Sequence, residues 1–162
     1  MGSPSRPYLH DHEEMAGKGD FRRPVDAKST VRANRRWWDD AAREYQQTHG
    51  QFLRDVGFVW CPEGLDEASA HLLGPTHTLA GRRVLEIGCG GAQCARWLAA
   101  QGAQVVAFDL SAAQLAHAQR LSARTGIDVP LLQADAQQIP LADASVDAAC
   151  SAFGALPFVA DS

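Results

Sequence analysis

The amino-acid sequence predicts an α/β fold built on a parallel sheet, with helices preceding it in the chain. Three observations carry this prediction. Short apolar runs suited to buried strands alternate with helical segments from residue 83 onward. The first of these strands runs into a glycine-rich bend, and the second ends in a carboxylate. The spacing between bend and carboxylate, about 20 residues, is typical of nucleotide-binding α/β domains.

Residues 1–30 differ from the rest of the chain in composition. Ten of them are charged, apolar residues are scattered, and glycine and proline recur without a period. Such a segment buries too little apolar surface to order itself, so we predict a disordered tail. Its run His10–Glu14 contains metal-ligating residue types. With no second cluster to complete a site, we interpret the run as solvated charge and predict no metal.

Residues 31–80 are predicted to form helices that cap the sheet. A helix from Val31 to Gly50 has its aromatic residues at helical spacing. We expect Trp38 to pack against the domain, and we assign Trp37 and Tyr45 as candidates for covering a ligand. A second helix is predicted from Glu63 to Leu73, because Gly74-Pro75 is a strong stop.

Residues 81–162 carry the alternating pattern of strands and helices. The predicted elements are a strand at Arg83–Ile87, a helix at Ala92–Gln101, a strand at Gln104–Phe108, a helix from Ser111 to Gly126, and strands at Pro130–Gln133 and Val146–Ser151. Ser111 and Gln114 have the spacing of a helix-capping box. Because parallel strands end at one edge of a sheet, the residues that follow them should meet there. Those residues are Glu86, Gly88, Asp109, Asp135 and Ser151.

The glycine bend narrows the choice of ligand. Gly88 and Gly90 lack a Cβ, so they can take positive φ and allow a ligand close to the backbone. The dinucleotide fingerprint needs a third glycine where this chain has Gln93, which argues against a nicotinamide-binding module. The bend also lacks the Lys-Ser/Thr of a phosphate-binding P-loop. A ligand with ribose and adenine but no phosphate fits best.

Four motifs in register resemble those of class I S-adenosylmethionine-dependent methyltransferases, especially the type 11 small-molecule group. They are Val84–Gln93, Phe108–Ser111, Gln133–Ala136 and the stretch Ile139–Asp147. The resemblance covers Gly81 to about Phe158, and more loosely the helix around residues 37–45. It departs from the family pattern where the usual third glycine is Ala92.

The resemblance implies a Rossmann-like domain that binds S-adenosylmethionine. By that resemblance, Glu86, Gly88 and Gly90 would shape the pocket for the methionine part, and Ser151 would lie near its carboxylate. Asp109 would hold the ribose hydroxyls. The remaining implied contacts are Leu110 against adenine, Asp135 accepting from the adenine amino group, the Ala136 backbone beside it, and Tyr45 with Trp37 above the cofactor.

The activity implied is methyl transfer to a small-molecule acceptor, with no catalytic base that can be named. The family fold has seven strands, and residues 151–162 are too few for three more. We therefore expect a C-terminally incomplete domain that transfers no methyl group alone, with a strand-four edge open to self-association. The alternative function is a non-catalytic S-adenosylmethionine-binding fragment or scaffold.

Composition excludes other classes of partner. The net charge is −4 and no Lys/Arg run occurs, so we predict no nucleic-acid partner. No apolar run reaches the length of a membrane helix, and no signal peptide is evident, so we predict no membrane partner and a cytoplasmic location. The four cysteines lack paired or metal-finger spacing, and we interpret them as reduced apolar fillers.

Overall fold

The computed structural model describes residues 26–153 and 155–159, and these contain a parallel sheet with the strand order β3-β2-β1-β4. The strands are β1 (Arg83–Ile87), β2 (Gln104–Asp109), β3 (Leu131–Gln133) and β4 (Ala148–Cys150). The helices are α1 (Ala27–Leu53), α2 (Glu67–Ala70), α3 (Gln93–Ala100) and α4 (Ala112–Thr125), with short 3₁₀ helices at Thr76–Thr78 and Leu156–Phe158. The predicted α/β fold with a parallel sheet is confirmed.

The central strand β1 determines where the site lies. It pairs with β2 on one side and with β4 on the other, so that Glu86 lies opposite both Ala107 and Cys150. Val84 and Leu85 are almost completely buried, as expected for a strand covered on both faces. An ion pair of 2.6 Å between Arg83 Nη2 and Asp147 Oδ1 joins the start of β1 to the segment before β4.

The predicted cap of α4 forms, but only one half of the capping box does. Ser111 Oγ accepts a hydrogen bond from Gln114 N at 3.1 Å. The Gln114 side chain does not return to Ser111, and its Oε1 accepts from Gln46 Nε2 of α1 instead, at 2.8 Å. The Ser111 N–H donates to Asp109 Oδ1, which completes the N-terminal capping in another way.

Helix α1 is longer than predicted at both ends. It begins at Ala27 because Asp26 caps it, accepting from Ser29 N at 3.0 Å. The predicted tail of residues 1–30 therefore overlaps this helix, and the His10–Glu14 run lies outside the described residues. At the other end the helix continues through Gly50 to Leu53, which is buried. Burial of Leu53 against the domain outweighs the weak helix propensity of glycine.

The second predicted helix, Glu63–Leu73, is wrong over most of its length. Gly64 has φ of +88°, and the chain turns there, so that Val59 and Asp66 form an antiparallel bridge. The helix begins only at Glu67, after the Asp66 side chain has accepted from Ala68 N. β4 is also shorter than predicted, with three residues at the edge of the sheet.

Candidate functional site

A cavity of about 110 Å³ lies at the C-terminal ends of the strands. Its lining falls into two parts. The floor consists of residues at or just after the strands: Glu86, Gly88, Gly90, Gly91, Asp109, Leu110, Asp135 and Ala136. The roof comprises α1 residues Val31, Asn34, Trp38 and Tyr45, together with Phe153, Ala155, Phe158 and Val159 from the segment after β4.

The glycine bend forms the centre of the floor. Gly88 and Gly90 have φ of +67° and +50°, values that favour glycine. A Cβ on Gly88 would stand 2.5 Å from the Cβ of Ala155, so the backbone there approaches the roof too closely for any side chain. Ala92 also has positive φ, +55°, which explains why glycine is usual at this position of the family pattern.

Asp109 lines the cavity and also stabilises the glycine bend by hydrogen bonds to its backbone. Its Oδ2 accepts from Gly90 N and its Oδ1 from Ser111 N, both at 2.8 Å. A carboxylate offers about four acceptor positions, so about two remain for ligand hydroxyls. Burial raises the pKa of Asp109, while these backbone hydrogen bonds oppose the rise. The negative charge of Asp39 on α1 raises it slightly further.

Glu86 lies beneath the bend and is only 2% exposed. Its Oε2 accepts from Ala95 N at 2.8 Å, which satisfies a donor in the first turn of α3. Ala92, at the N-cap of that helix, has no side chain that could do so. Burial raises the pKa of Glu86 from 4.5 to about 8. Burial thus favours the protonated form of this carboxyl group, while the hydrogen bond from Ala95 N and the positive charge of Arg96 oppose it.

The far end of the floor is formed by the residues after β2 and β3. Asp135 lines the cavity and its Oδ1 accepts from Gln137 N at 3.0 Å, which shapes the turn after β3. Gln133 Nε2 donates to Leu110 O at 3.1 Å and ties the two strand ends together. An apolar side chain and a carboxylate thus face the same end of the cavity.

The roof is joined by contacts between distant parts of the chain. Asn34 Nδ2 donates to Phe158 O at 2.5 Å. The Trp38 ring packs edge-on against Phe158 and Tyr45, with centroids 5.5 Å and 5.7 Å away. Phe153 has φ of +58°, a strained conformation for an aromatic residue. These contacts place the segment after β4 between α1 and the glycine bend.

Helix α1 is anchored to the floor by polar side chains. Asp39 Oδ1 accepts from Ser111 Oγ at 2.6 Å and from Ala113 N at 3.1 Å, at the N-terminus of α4. A carboxylate at a helix N-terminus is favourable. The buried Gln46–Gln114 hydrogen bond forms a second anchor. The position of α1 over the cavity is therefore coupled to the residues beside Asp109.

The structure brings most of the predicted site residues to the cavity. Those that line it are Tyr45, Glu86, Gly88, Gly90, Asp109, Leu110, Asp135 and Ala136. Trp37 is not among them: it is 58% exposed and rests on the edge of Trp38. Ser151 does not line the cavity either; its Oγ accepts from Ala155 N at 3.4 Å in the turn after β4.

The sequence analysis missed several lining residues. It assigned Trp38 to packing alone, although Trp38 precedes Tyr45 by seven residues, close to two helical turns, and so shares its face of α1. Helical periodicity could have found this. Gln46, Gln114 and Phe158 also line the cavity, but they come from segments far apart in sequence, and no local pattern marks them.

The cysteines and the acidic residues show no further chemistry. Cys89, Cys94 and Cys150 are buried and free, and burial raises the pKa of each thiol above its usual value. Thiols of this kind are poor nucleophiles. Across residues 26–153 and 155–159, no three His, Cys, Asp or Glu side chains are grouped so that they could hold a metal ion.

Comparison with known proteins supports one class of enzyme. Residues 84–162 match the family model described as a methyltransferase domain. The ubiquinone biosynthesis O-methyltransferase of Burkholderia orbicola is 39% identical over 94 residues, which cover 58% of this chain and 34% of that protein. The enzyme of the same name from Pseudomonas entomophila is 31% identical over 104 residues, covering 64% and 38%.

Among solved structures, the cyclase SpnF aligns with a TM-score of 0.53 and 22% identity, covering 72% of this chain and 47% of that one. This likeness shows the fold alone. The match of residues 84–162 to the family model, which spans just under half of the chain, supports a class I S-adenosylmethionine-dependent methyltransferase, and the fold and the curated relatives agree with it. The cofactor of this class is S-adenosylmethionine. The chain spans about a third of the length of the curated relatives it matches.

Proposed function

We propose that the cavity binds S-adenosylmethionine and that the protein transfers its methyl group to a small-molecule acceptor. The observation that carries this proposal is the convergence of Gly88, Asp109 and Asp135 on one cavity at the strand ends. Each comes from a different strand, and the three supply close backbone approach and two separate acceptors. These are the features that a ribose and an adenine require.

The residues present fit the cofactor. The acceptor positions that remain on Asp109 would take the ribose hydroxyls, Leu110 would pack on adenine, and Asp135 would accept from the adenine amino group beside the Ala136 backbone. Glu86, Gly88 and Gly90 would shape the methionine end, and Tyr45 would cover it. Trp37 and Ser151 keep only indirect roles, through Trp38 and through the turn after β4.

Bound S-adenosylmethionine supplies a methyl group already activated on a sulfonium. The contribution of the protein is therefore mainly orientation and exclusion of water. The floor holds the cofactor in one register through Asp109 and the bend. The roof limits access of water, because α1 and the segment after β4 close over the same space.

Calorimetric titration with S-adenosylmethionine and, separately, with NAD tests the binding. We expect binding of the first only. Asp109→Ala should weaken it at least about tenfold, since each lost charge-assisted hydrogen bond is worth roughly 1.5–3 kcal/mol. Asp40→Ala is the matched control, because the Asp40 side chain is 77% exposed on α1 and only loosely paired with Arg36. Equal affinities for the two variants would contradict the proposed ribose contact.

Cofactor binding without methyl transfer is the second candidate function. The observation in its favour is that a protein described as a cyclase shares this fold, so the fold does not by itself imply methyl transfer. A tritiated-methyl assay over a mixed panel separates the two functions. Phenols belong in the panel because the curated relatives are named O-methyltransferases. Because this chain is expected to transfer no methyl group alone, the second function is favoured only if a version extended to the seven strands of the family fold also binds without transfer.

Partners and location follow from charge and cysteine chemistry. We propose no nucleic-acid partner, given the net charge of −4. All four cysteines are free, which fits the reducing cytoplasm.

β4 pairs only with β1 among the described strands, so its open edge is a candidate for self-association. Within the part of the chain that the structure describes, no helix has the length and apolar character to cross a membrane.

A further inference from the structure

Arg96 of α3 is a fully buried cation, with an exposure of 0%. All three of its guanidinium nitrogens donate to backbone carbonyls. Nε donates to Asp55 O at 2.8 Å, Nη1 to Ala118 O at 3.3 Å and Nη2 to Gly91 O at 2.6 Å. A charged group is costly to bury, and it is tolerated only where its donors are satisfied in this way.

The three acceptors belong to three different segments. Asp55 lies in the loop after α1, Ala118 in the middle of α4, and Gly91 in the glycine bend that forms the cavity floor. The bond to Gly91 is the shortest of the three. The planar guanidinium fork holds its donors in a rigid arrangement, so the positions of the three carbonyls are fixed relative to one another.

A second contact shows what only Arg96 contributes. Arg124, which like Ala118 belongs to α4, pairs with the Asp55 carboxylate. The loop after α1 and α4 are therefore joined without Arg96. The link that depends on Arg96 is the one from these two segments to Gly91, whose neighbour Gly90 is held on its other side by Asp109.

We propose that Arg96 is a positioning residue for cofactor binding, which holds the Gly91 carbonyl and thereby sets the conformation of the glycine bend. The proposal rests on the proposed function, because it concerns the affinity for S-adenosylmethionine. Arg96 does not line the cavity and touches no ligand. Its effect passes through the backbone of Gly90 and Gly91.

The test compares Arg96→Lys, Arg96→Met and the control Arg124→Met. Calorimetry with S-adenosylmethionine is done well below each melting temperature, so that unfolding does not contribute. We expect the Kd to rise about tenfold or more in both Arg96 variants, since a lysine cannot bridge three carbonyls, and to change less than about twofold in Arg124→Met. Amide hydrogen exchange at Gly90 and Ala92 should be faster in both Arg96 variants and unchanged in Arg124→Met.

Each outcome is decisive. A Kd within about twofold of the parent in folded Arg96→Lys, with unchanged exchange in the bend, overturns the proposal. Failure of both Arg96 variants to fold also overturns it, because Arg96 would then serve the fold as a whole. An equal loss of affinity in Arg124→Met would assign the effect to the joined segments instead of the bend. Failure of the parent itself to bind S-adenosylmethionine would contradict the proposed function, which is a separate result.

Discussion

The floor and the roof of the cavity are held by different kinds of contact. The floor rests on short hydrogen bonds that buried or nearly buried carboxyl groups accept, such as those from Ala95 N to Glu86 and from Gly90 N to Asp109. In the roof, the segment after β4 rests on contacts of partly exposed groups, such as the hydrogen bond from Asn34 Nδ2 to Phe158 O and the edge-on packing of Trp38 on Phe158. Contacts exposed to water contribute less to stability than buried ones.

The difference indicates a preformed floor and a roof that opens more readily. The space over Gly88 is already filled by Ala155, whose Cβ would be 2.5 Å from a Cβ placed there. A ligand that reaches the bend must share this space, so the segment after β4 has to shift while the floor stays in place. Segments with few buried contacts are the ones that open locally at low free-energy cost.

The largest effect is expected from a side chain added to the floor. Gly88→Ala should abolish measurable binding of S-adenosylmethionine, because the new Cβ occupies the space between the bend and the roof. Gly81→Ala is the matched control: its φ is +77°, comparable to that of Gly88, but nothing lies within 4 Å of the added Cβ. Both variants should lose about 1–2 kcal/mol of stability from the left-handed backbone.

Calorimetry and thermal unfolding separate the two effects of Gly88→Ala. If Gly88→Ala and Gly81→Ala bound the cofactor equally well, the close approach at Gly88 would have no functional role. If Gly88→Ala lost much more stability than the control, the roof would be more rigid than its contacts suggest.

A smaller effect is expected in the roof, where two adjacent tryptophans form a matched pair. Trp38→Ala removes two edge-on aromatic contacts and part of the cavity lining. We expect it to weaken cofactor binding by about 1–3 kcal/mol. Trp37→Ala removes a side chain that is 58% exposed and outside the cavity, so affinity should be nearly unchanged. Greater loss in Trp37→Ala, measured by calorimetry, would reverse the assignment.

The same contrast explains what the sequence could predict. The floor is encoded by short stretches: the limits of β1 were predicted to the residue, and so were the cap by Ser111 and the carboxylate that ends β2. In each case the interacting residues lie close together in the chain or follow the strand period. Local patterns of this kind can be read without knowing the tertiary structure.

The roof could not be predicted in this way. Asn34 and Phe158 are 124 residues apart, and Gln46 and Gln114 are 68 apart. No periodicity links such pairs, because their contact depends on how α1 packs over the finished sheet. For a related reason, the sequence did not distinguish which of Trp37 and Trp38 lines the cavity. Both tryptophans fit a helical pattern, and the way α1 packs over the sheet determines which of them faces the cavity.

The pH dependence of stability should report on the floor. Burial raises the pKa of Glu86 from 4.5 to about 8, so the folded protein keeps this proton in a range where the unfolded chain has lost it. The contribution of Glu86 to the free energy of unfolding is then fully present below pH 4.5 and is lost as the pH rises toward 8. Asp109, with a raised pKa, acts in the same direction.

Glu86→Gln isolates this contribution, because its amide oxygen can still accept from Ala95 N. Urea unfolding of the parent and the variant at pH 5, 6, 7 and 8 gives the difference in unfolding free energy. We expect the free energy of unfolding of the parent to fall, relative to that of Glu86→Gln, by on the order of 2–4 kcal/mol between pH 5 and pH 8. A difference independent of pH would mean that Glu86 is ionised throughout and that the floor carries its charge.

The smallest effect concerns Ala92, where the floor has an alanine in a conformation suited to glycine. Its φ is +55° and its side chain is fully buried. Ala92→Gly should relieve about 1–2 kcal/mol of backbone strain. It should also lose about 0.8 kcal/mol of stabilisation from burial of the methyl group and about 0.5–1 kcal/mol from the greater chain entropy of glycine in the unfolded state, so the net change should be close to zero.

Ala95→Gly is the control, because Ala95 is equally buried in α3 but is absent from the positive-φ residues. It has no strain to relieve and should be about 1–2 kcal/mol less stable than the parent. Equal losses in urea unfolding would show that the bend stores no strain at Ala92, and the departure from glycine would then have no energetic consequence.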